Sequence, residues 1–273
     1  MADRKLLPGK FVWFEHVSRN PKNAQDFYAE VLGWKVKPFP MGDIAYEMIL
    51  TGDTWDSMIG GYVAAQSDRE RSRWIGTVSV EDVGAATKAA AANGGTILEA
   101  PSDLAGVGRR ARIADPQGAE LGLLTDERGD KPDAQVPPGG WVWSELQTAE
   151  PADAVRFYEK VLGFSHRTMD MDAGGKYYVL SRDGIDRGGV SGRLPAGARP
   201  HWLPYVASDD VDATIDRAKK RGARIPVGPE NIPGIGRFGV LEDPSGAVLA
   251  VLKPLRTAYD AGVVARQEAI SPS

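Results

Sequence analysis

Hydrophobic and polar positions first alternate at FVWFEHV, residues 11–17, and the alternation returns as WVWSEL at 141–146. Side chains two apart on a strand share a face. Phe11, Trp13 and Glu15 are therefore expected to look one way, and Trp141, Trp143 and Glu145 likewise. Each run then gives way to a helical period. After the first, Asn20-Pro21 supplies an N-cap with proline at the first helical position. Ala24, Phe27, Tyr28 and Val31 recur on one helix face, and Gly33 closes the helix. Short strands are expected near 34–38, 45–51 and 58–63. The pattern restarts with a strand at 74–80, a helix from Asp82 to Ala92, a stop at Asn93-Gly94-Gly95, and strands near 96–99, 108–114 and 119–124.

The whole pattern then repeats. Residues 11–34 lie over 141–164 at an offset of 130, which puts Trp13 on Trp143, Glu15 on Glu145 and Phe27-Tyr28 on Phe157-Tyr158. Further on the offset becomes 128: Asp82-Val83 falls on Asp210-Val211, Gly108-Arg109 on Gly236-Arg237, and Asp115-Pro116 on Asp243-Pro244. So steady an offset means two copies of one domain. The stretch DERGDKPDAQVPPGG (126–140), polar and with three prolines and three glycines, reads as the connection. The expected layout is a first domain at 1–127, a linker at 128–139, a second domain at 140–256 and a tail at 257–273 that is helical or disordered. The fold class is α+β: four βαβββ units, with helices outside curled mixed sheets whose inner faces form clefts.

Composition narrows the function classes. At 273 residues and 42% hydrophobic, the chain is long enough for two cores. A net charge of −4 argues against nucleic acid and anionic membranes as partners. The densest basic run, Arg217–Lys219–Lys220–Arg221, falls at an expected helix end, where the dipole favours cations. There is no cysteine, hence no disulfide, thiolate metal site or cysteine nucleophile. No apolar run approaches the ~18 residues of a membrane span, and the N-terminus lacks a signal-peptide core, so a cytoplasmic location is expected.

The run Phe27-Tyr28…Val31-Leu32-Gly33-Trp34, the opening Val78–Val83 and the Asp-Pro-x-Gly turns at 115–118 and 243–246 resemble the vicinal oxygen chelate superfamily. Glyoxalase I, extradiol dioxygenases and bleomycin-binding proteins belong to it. The resemblance spans about residues 10–126 and 139–254 and implies two tandem domains of that fold. The two Trp-x-Glu strands and the ending GIGRFGVLEDPSGAVLAVLKP resemble more narrowly a bacterial tandem subgroup labelled glyoxalase-like or hydroxylase. Enzymes of the superfamily hold a divalent metal through His, Gln or Glu. Carried over by position, those ligand sites fall on Trp13, Ile75, Gly122 and near Gly60-Gly61 in the first copy. In the second they fall on Trp143, Leu203, Ala250 and near Gly188-Gly189. None of these side chains binds a metal. The three histidines, His16, His166 and His201, show no chelating spacing, and His16 is expected to point away from the cleft. No metal and no other cofactor is expected.

Tryptophan at a former ligand position turns a charged cleft into an aromatic wall. Two readings of the Trp13/Glu15 and Trp143/Glu145 pairs stay open. Either they contact a ligand, with the glutamates as hydrogen-bond acceptors or general bases, or the tryptophans pack the interior and the glutamates pair with Arg109 and Arg237. Tyr177, its repeat partner Tyr46, and Tyr205 are further candidate donors to a ligand, whereas Trp74 and Trp202 are expected in the core. The Gly-x-Gly-Arg segments at 106–109 and 234–237 precede strands, not helices, and read as turns. The leading expectation is a metal-free binding protein for an aromatic or apolar small molecule, monomeric or weakly dimeric. The alternatives are a glyoxalase-, lyase- or dioxygenase-type enzyme using Glu15, Glu145 or an unrecognised metal site, and a protein-interaction or structural role.

Overall fold

A computed structural model of the chain describes residues 5–41, 44–171 and 175–255. The tail expected at 257–273 lies outside the described residues. Four βαβββ units follow one another. The first is β1 (Phe11–Ser18), α1 (Pro21–Leu32), β2 (Lys35–Met41), β3 (Ile44–Leu50) and β4 (Met58–Ala64), with a 3₁₀ turn at Trp55–Ser57 before β4. The second is β5 (Arg73–Ser79), α2 (Val83–Ala92), β6 (Thr96–Leu104), β7 (Gly108–Ala114) and β8 (Glu120–Asp126). The third is β9 (Trp141–Gln147), α3 (Pro151–Leu162), β10 (Ser165–Asp170), β11 (Lys176–Arg182) and β12 (Ile185–Ser191). The fourth is β13 (His201–Ala207), α4 (Val211–Lys220), β14 (Arg224–Ile232), β15 (Gly236–Glu242) and β16 (Val248–Pro254).

Each pair of units makes one curled eight-stranded sheet, ordered β2-β3-β4-β1-β5-β8-β7-β6 in the first domain and β10-β11-β12-β9-β13-β16-β15-β14 in the second. The two units of a domain meet antiparallel at β1–β5 and β9–β13, and each closes on itself through parallel pairs such as β1–β4. The helices start and stop where the residues dictate. Pro21 and Pro151 occupy the first turns of α1 and α3, and Gly33 and Gly163 end them in the left-handed conformation, φ 73° and 65°. Asp82 and Asp210 cap α2 and α4 by accepting from Ala85 N and Ala213 N. The basic run expected at a helix end closes α4.

The cores lie on the convex, helix-bearing faces and are shared between domains. One joins Phe14, Phe27, Tyr28 and Trp34 of the first unit, with Trp74 of β5, to Ile215, Leu241 and Leu249 of the fourth; the other joins the second unit mainly to the third. The two sheets thus stand back to back with their helices between them. Trp74 and Trp202 sit in these cores as expected, 6% and 3% exposed.

The Asp-Pro-x-Gly turns tie the domains together. Asp243 Oδ1 accepts from the backbone N–H of Ser245, Gly246 and Ala247, which shapes its own turn. Its Oδ2 accepts from Tyr28 Oη (3.0 Å) and His16 Nε2 (2.9 Å) of the other domain. Trp74 Nε1 donates in turn to Tyr28 Oη. The repeat mirrors this: Trp202 Nε1 donates to Tyr158 Oη, which donates to Asp115 Oδ2. Leu146 stands where the first domain has His16, so only one of the two interfaces carries an imidazole. Burial pushes Asp115 above the ordinary carboxyl range, against the backbone N–H groups of its turn. Burial pushes Asp243 the same way, but the hydrogen bond and charge of His16, with Ser245 and Ala247, hold it below that range.

The connecting stretch is strapped to both domains. Asp130 accepts from Leu7 N and Ser79 Oγ, Lys131 Nζ donates to the carbonyls of Asp56 and Met58, and Asp133 bridges Lys10 and Arg187.

His16→Leu copies the second domain's solution but leaves Asp243 without its imidazole. We expect a loss of about 1–3 kcal/mol at pH 7, the cost of an under-satisfied buried group. Because the folded Asp243 pKa is depressed, its contribution is present above the unfolded value of about 3.9 and lost as pH falls through the folded one. Urea midpoints of wild type and variant are therefore expected to keep their gap from pH 7 down to about pH 4 and to converge below it; a gap that stays constant at lower pH contradicts the assignment.

Candidate functional site

Trp13 and Glu15 of β1 face the concave side of the first sheet, and Trp143 and Glu145 of β9 that of the second. Their register partners there are Thr77 and Ile75 on β5, and Tyr205 and Leu203 on β13. Phe11 and Trp141 do not share this face, contrary to the alternation read from the sequence. The pairing slips by one residue between Phe11 and Trp13 and opposite Trp141 and Trp143, and such a bulge turns the extra side chain over. Phe11 packs on Trp202, and Trp141 on Phe14, Trp34 and Trp74, in the shared cores.

Each concave face carries a Trp–Tyr–Glu relay. Trp13 Nε1 donates to Tyr46 Oη (3.0 Å), and Tyr46 Oη donates to Glu15 Oε1 (2.8 Å). Trp143 Nε1 donates to Tyr177 Oη (2.9 Å), which is hydrogen-bonded to Glu145. The tyrosines come from β3 and β11 and lie flat over the neighbouring strand. They fit because Gly61 and Gly189 have no side chain: a Cβ on either would collide with the tyrosine hydroxyl. These glycines lie at the middle-strand ligand position carried over from the family resemblance. Burial, with the neighbouring carboxylate, pushes Tyr46 and Tyr177 well above the ordinary phenol range, which keeps them as donors.

The glutamates do not pair with Arg109 and Arg237. Arg109 bridges to Asp103 (2.7 Å) and Arg237 to Asp212, because both arginines face outward near hairpin ends. The ion-pair version of the packing reading is thereby corrected. Glu145 is instead buried among neutral donors: Ser191 Oγ (3.0 Å), Gln147 Nε2 (3.2 Å) and, at 3.5 Å, Tyr205 Oη. Burial pushes its carboxyl above the ordinary range, against the lowering effect of Gln147, Ser191, the Arg193 charge and Tyr177. Glu15 is only half-buried, and Val17, Val63 and Thr77 replace those donors.

The family resemblance implies a divalent metal, and the donor set does not fit one. The carried-over positions hold Trp13, Ile75, Gly61 and Gly122, and their repeat partners Trp143, Leu203, Gly189 and Ala250. Among the described residues no three His, Asp or Glu side chains converge. His16 is spent on Asp243, His166 Nδ1 meets Glu159, and His201 Nδ1 meets the Arg199 carbonyl. The Gly-x-Gly-Arg segments are hairpin turns, beside open hollows of about 500 and 520 Å³ that touch no member of either relay. No described helix is long and apolar enough to cross a membrane.

The second concave face is apolar and filled. Leu203, Tyr205, Phe238, Val240, Ala250 and Leu252 form one cluster, all buried. The first domain has Ile75, Thr77, Arg110, Arg112, Gly122 and Leu124 at those places.

The family model described as Glyoxalase/Bleomycin resistance protein/Dioxygenase superfamily matches residues 10–123 and 141–251, one segment per domain. The chain belongs to this superfamily. Within it, the chain is 32% identical over 244 residues to the putative glyoxylase CFP32 of Mycobacterium tuberculosis (strain CDC 1551 / Oshkosh), covering 89% of this chain and 94% of the relative. It is 30% identical over 281 residues to the anthracycline biosynthesis protein DnrV of Streptomyces peucetius, covering 94% and 97%. Among superfamily structures, the Mn(II)-bound glyoxalase from Novosphingobium aromaticivorans shares the fold at a TM-score of 0.63 and 18% identity, covering 93% of this chain and 85% of that one. The 2,3-dioxygenase LapB from Pseudomonas sp. KL28 does so at 0.61 and 16%, covering 91% and 94%.

Glu145→Gln keeps the acceptor for Tyr177 and Ser191 but cannot ionise. With a raised folded pKa, wild-type stability falls as pH climbs from the unfolded value of about 4.3 to the folded one. The variant is expected to gain steadily on wild type as pH rises from about 4 to about 8. Denaturant titrations across that range check it.

Proposed function

We propose that the protein binds a planar aromatic or apolar small molecule on a tryptophan-lined concave face without a metal. One observation carries the reading. Each relay satisfies the indole N–H and leaves the tryptophan half-buried at the position that the family resemblance assigns to a metal ligand. A ring so held offers about 0.5–1.5 kcal/mol of stacking beyond area burial and needs no desolvation of a free N–H. The name of the DnrV relative attaches that protein to anthracyclines, which are fused-ring aromatic compounds, in keeping with such a ligand class.

The test uses 3-hydroxy-2-naphthamide, 9-anthracenemethanol and anthraquinone as probes, read by energy transfer from, or quenching of, tryptophan. Two of the seven tryptophans are removed in Trp13→Phe/Trp143→Phe, and the rest remain as donors. Wild type is expected to bind at least one probe, and the double variant at least tenfold more weakly, with an unchanged circular dichroism spectrum. No binding of any probe, or equal binding by the variant, overturns the proposal.

A second reading is a proton-abstracting enzyme. Burial, which pushes the Glu145 carboxyl up as a base requires, favours it, as does the name glyoxylase carried by CFP32. In that case Glu145→Gln abolishes turnover while leaving binding intact.

A further inference from the structure

The two concave faces are built from one plan and then diverge at the positions that decide whether anything fits between their arms. In the second domain Phe238 and Val240 of β15, Tyr205 of β13 and Val227 of β14 close over Trp143. In the first, Arg110, Arg112, Thr77 and Glu99 stand at those places. Gly122, opposite Arg112 on β8, replaces Ala250, and the smaller Thr77 side chain lies against it where a Cβ would collide. The rows of charge at one end are mutually satisfied: Arg112 bridges Glu99 (2.8 Å) and Glu120, and Arg73 bridges Glu120 and Glu70.

Arg110 is different. It is exposed and has no ion pair or side-chain hydrogen bond among the described residues. Along β7 it alternates with Ala111 and Ile113, which are buried in the core, so it stands on the concave face, at the place where Phe238 joins the cluster that packs against Trp143 in the second domain. There Glu15 uses only Oε1, for Tyr46, and its other oxygen has no hydrogen-bond partner among the described residues. An aromatic wall, a guanidinium with no partner among the described residues and a half-used carboxylate thus share one concave face, and their counterparts on the other are covered or fully engaged.

Resting on the binding reading above, we infer that the ligand site belongs to the first domain alone and takes a planar aromatic acid bearing a hydroxyl or amino donor. The ring stacks on Trp13, the acid group pairs with Arg110, and the donor meets Glu15. A guanidinium offers paired donors in the geometry of a carboxylate, so the acid contributes selectivity as well as attraction. The second concave face is occupied by its own side chains and serves as packing.

The experiment compares 3-hydroxy-2-naphthoate with its neutral amide, 3-hydroxy-2-naphthamide, in fluorescence titrations of the full chain. The expected result is one site per chain for the naphthoate. Trp13→Phe weakens it about tenfold and Trp143→Phe less than twofold. Arg110→Gln weakens the naphthoate about tenfold and leaves the amide unchanged. Thr77→Tyr/Arg110→Phe writes the second domain's residues into the first and abolishes binding of both; the second domain shows that this constellation folds. Two sites per chain, or equal effects of the two tryptophan variants, overturn the one-domain assignment while leaving the aromatic-wall reading in place. Equal effects of Arg110→Gln on the two probes overturn the acid class. If neither probe binds the wild type, this inference falls; if the other planar probes also fail to bind, the binding reading falls with it.

Discussion

The structure depends on a tyrosine hydroxyl reaching into the other domain's turn. In each Asp-Pro-x-Gly segment one carboxylate oxygen holds the turn's own N–H groups, and the other accepts Tyr28 or Tyr158 from across the interface. Turn and interface therefore share one hydrogen-bonded carboxylate. Leaving a buried hydroxyl or carboxylate unsatisfied costs about 1–3 kcal/mol per group. The helices that flank these bonds are confined between the two sheets, and both concave faces look outward.

The same chemistry is used again on the concave faces. A tryptophan N–H donates to a tyrosine, and the tyrosine to a carboxylate, at four places: two in the interface and two on the inner faces. In the interface the rings are enclosed and the relay is architectural. On the inner faces the relay fastens the edge of the indole; Trp13 stays half-buried there, whereas Trp143 is packed against Phe238, Val240 and Tyr205. Glu145, surrounded by Ser191, Gln147 and Tyr205, has the character of an interface carboxylate, whereas Glu15 keeps an open oxygen.

Much of this was legible in the chain. Pro21 and Gly33 bracket α1, the Asp82 cap opens α2, and the repeat offset predicts two domains before any coordinate is known. Placement of Trp13 and Glu15 on one face followed from strand alternation. That of Phe11 and Trp141 failed because a bulge, set by pairing with the neighbouring strand, leaves no local mark. The partner of Glu15 was missed for a related reason: Tyr46 sits two strands away, and only the vacancy at Gly61 lets it lie there. Arg109 and Arg237 drew notice because they match between repeats. The more telling positions were those that differ, Arg110 against Phe238 and Thr77 against Tyr205, and a comparison of inward-facing residues at the same offset would have found them.

Joining the two copies in one polypeptide has a consequence that a homodimer cannot share. In a homodimer every substitution is made twice, so a bulky ring that improves one half also plugs the other. Here Phe238 can act as ballast on one side while an arginine, Arg110, stands at the matching place on the other, and His16 can serve one seam without appearing in its twin. The strap of residues 127–140, held to both halves, is what licenses that division of labour.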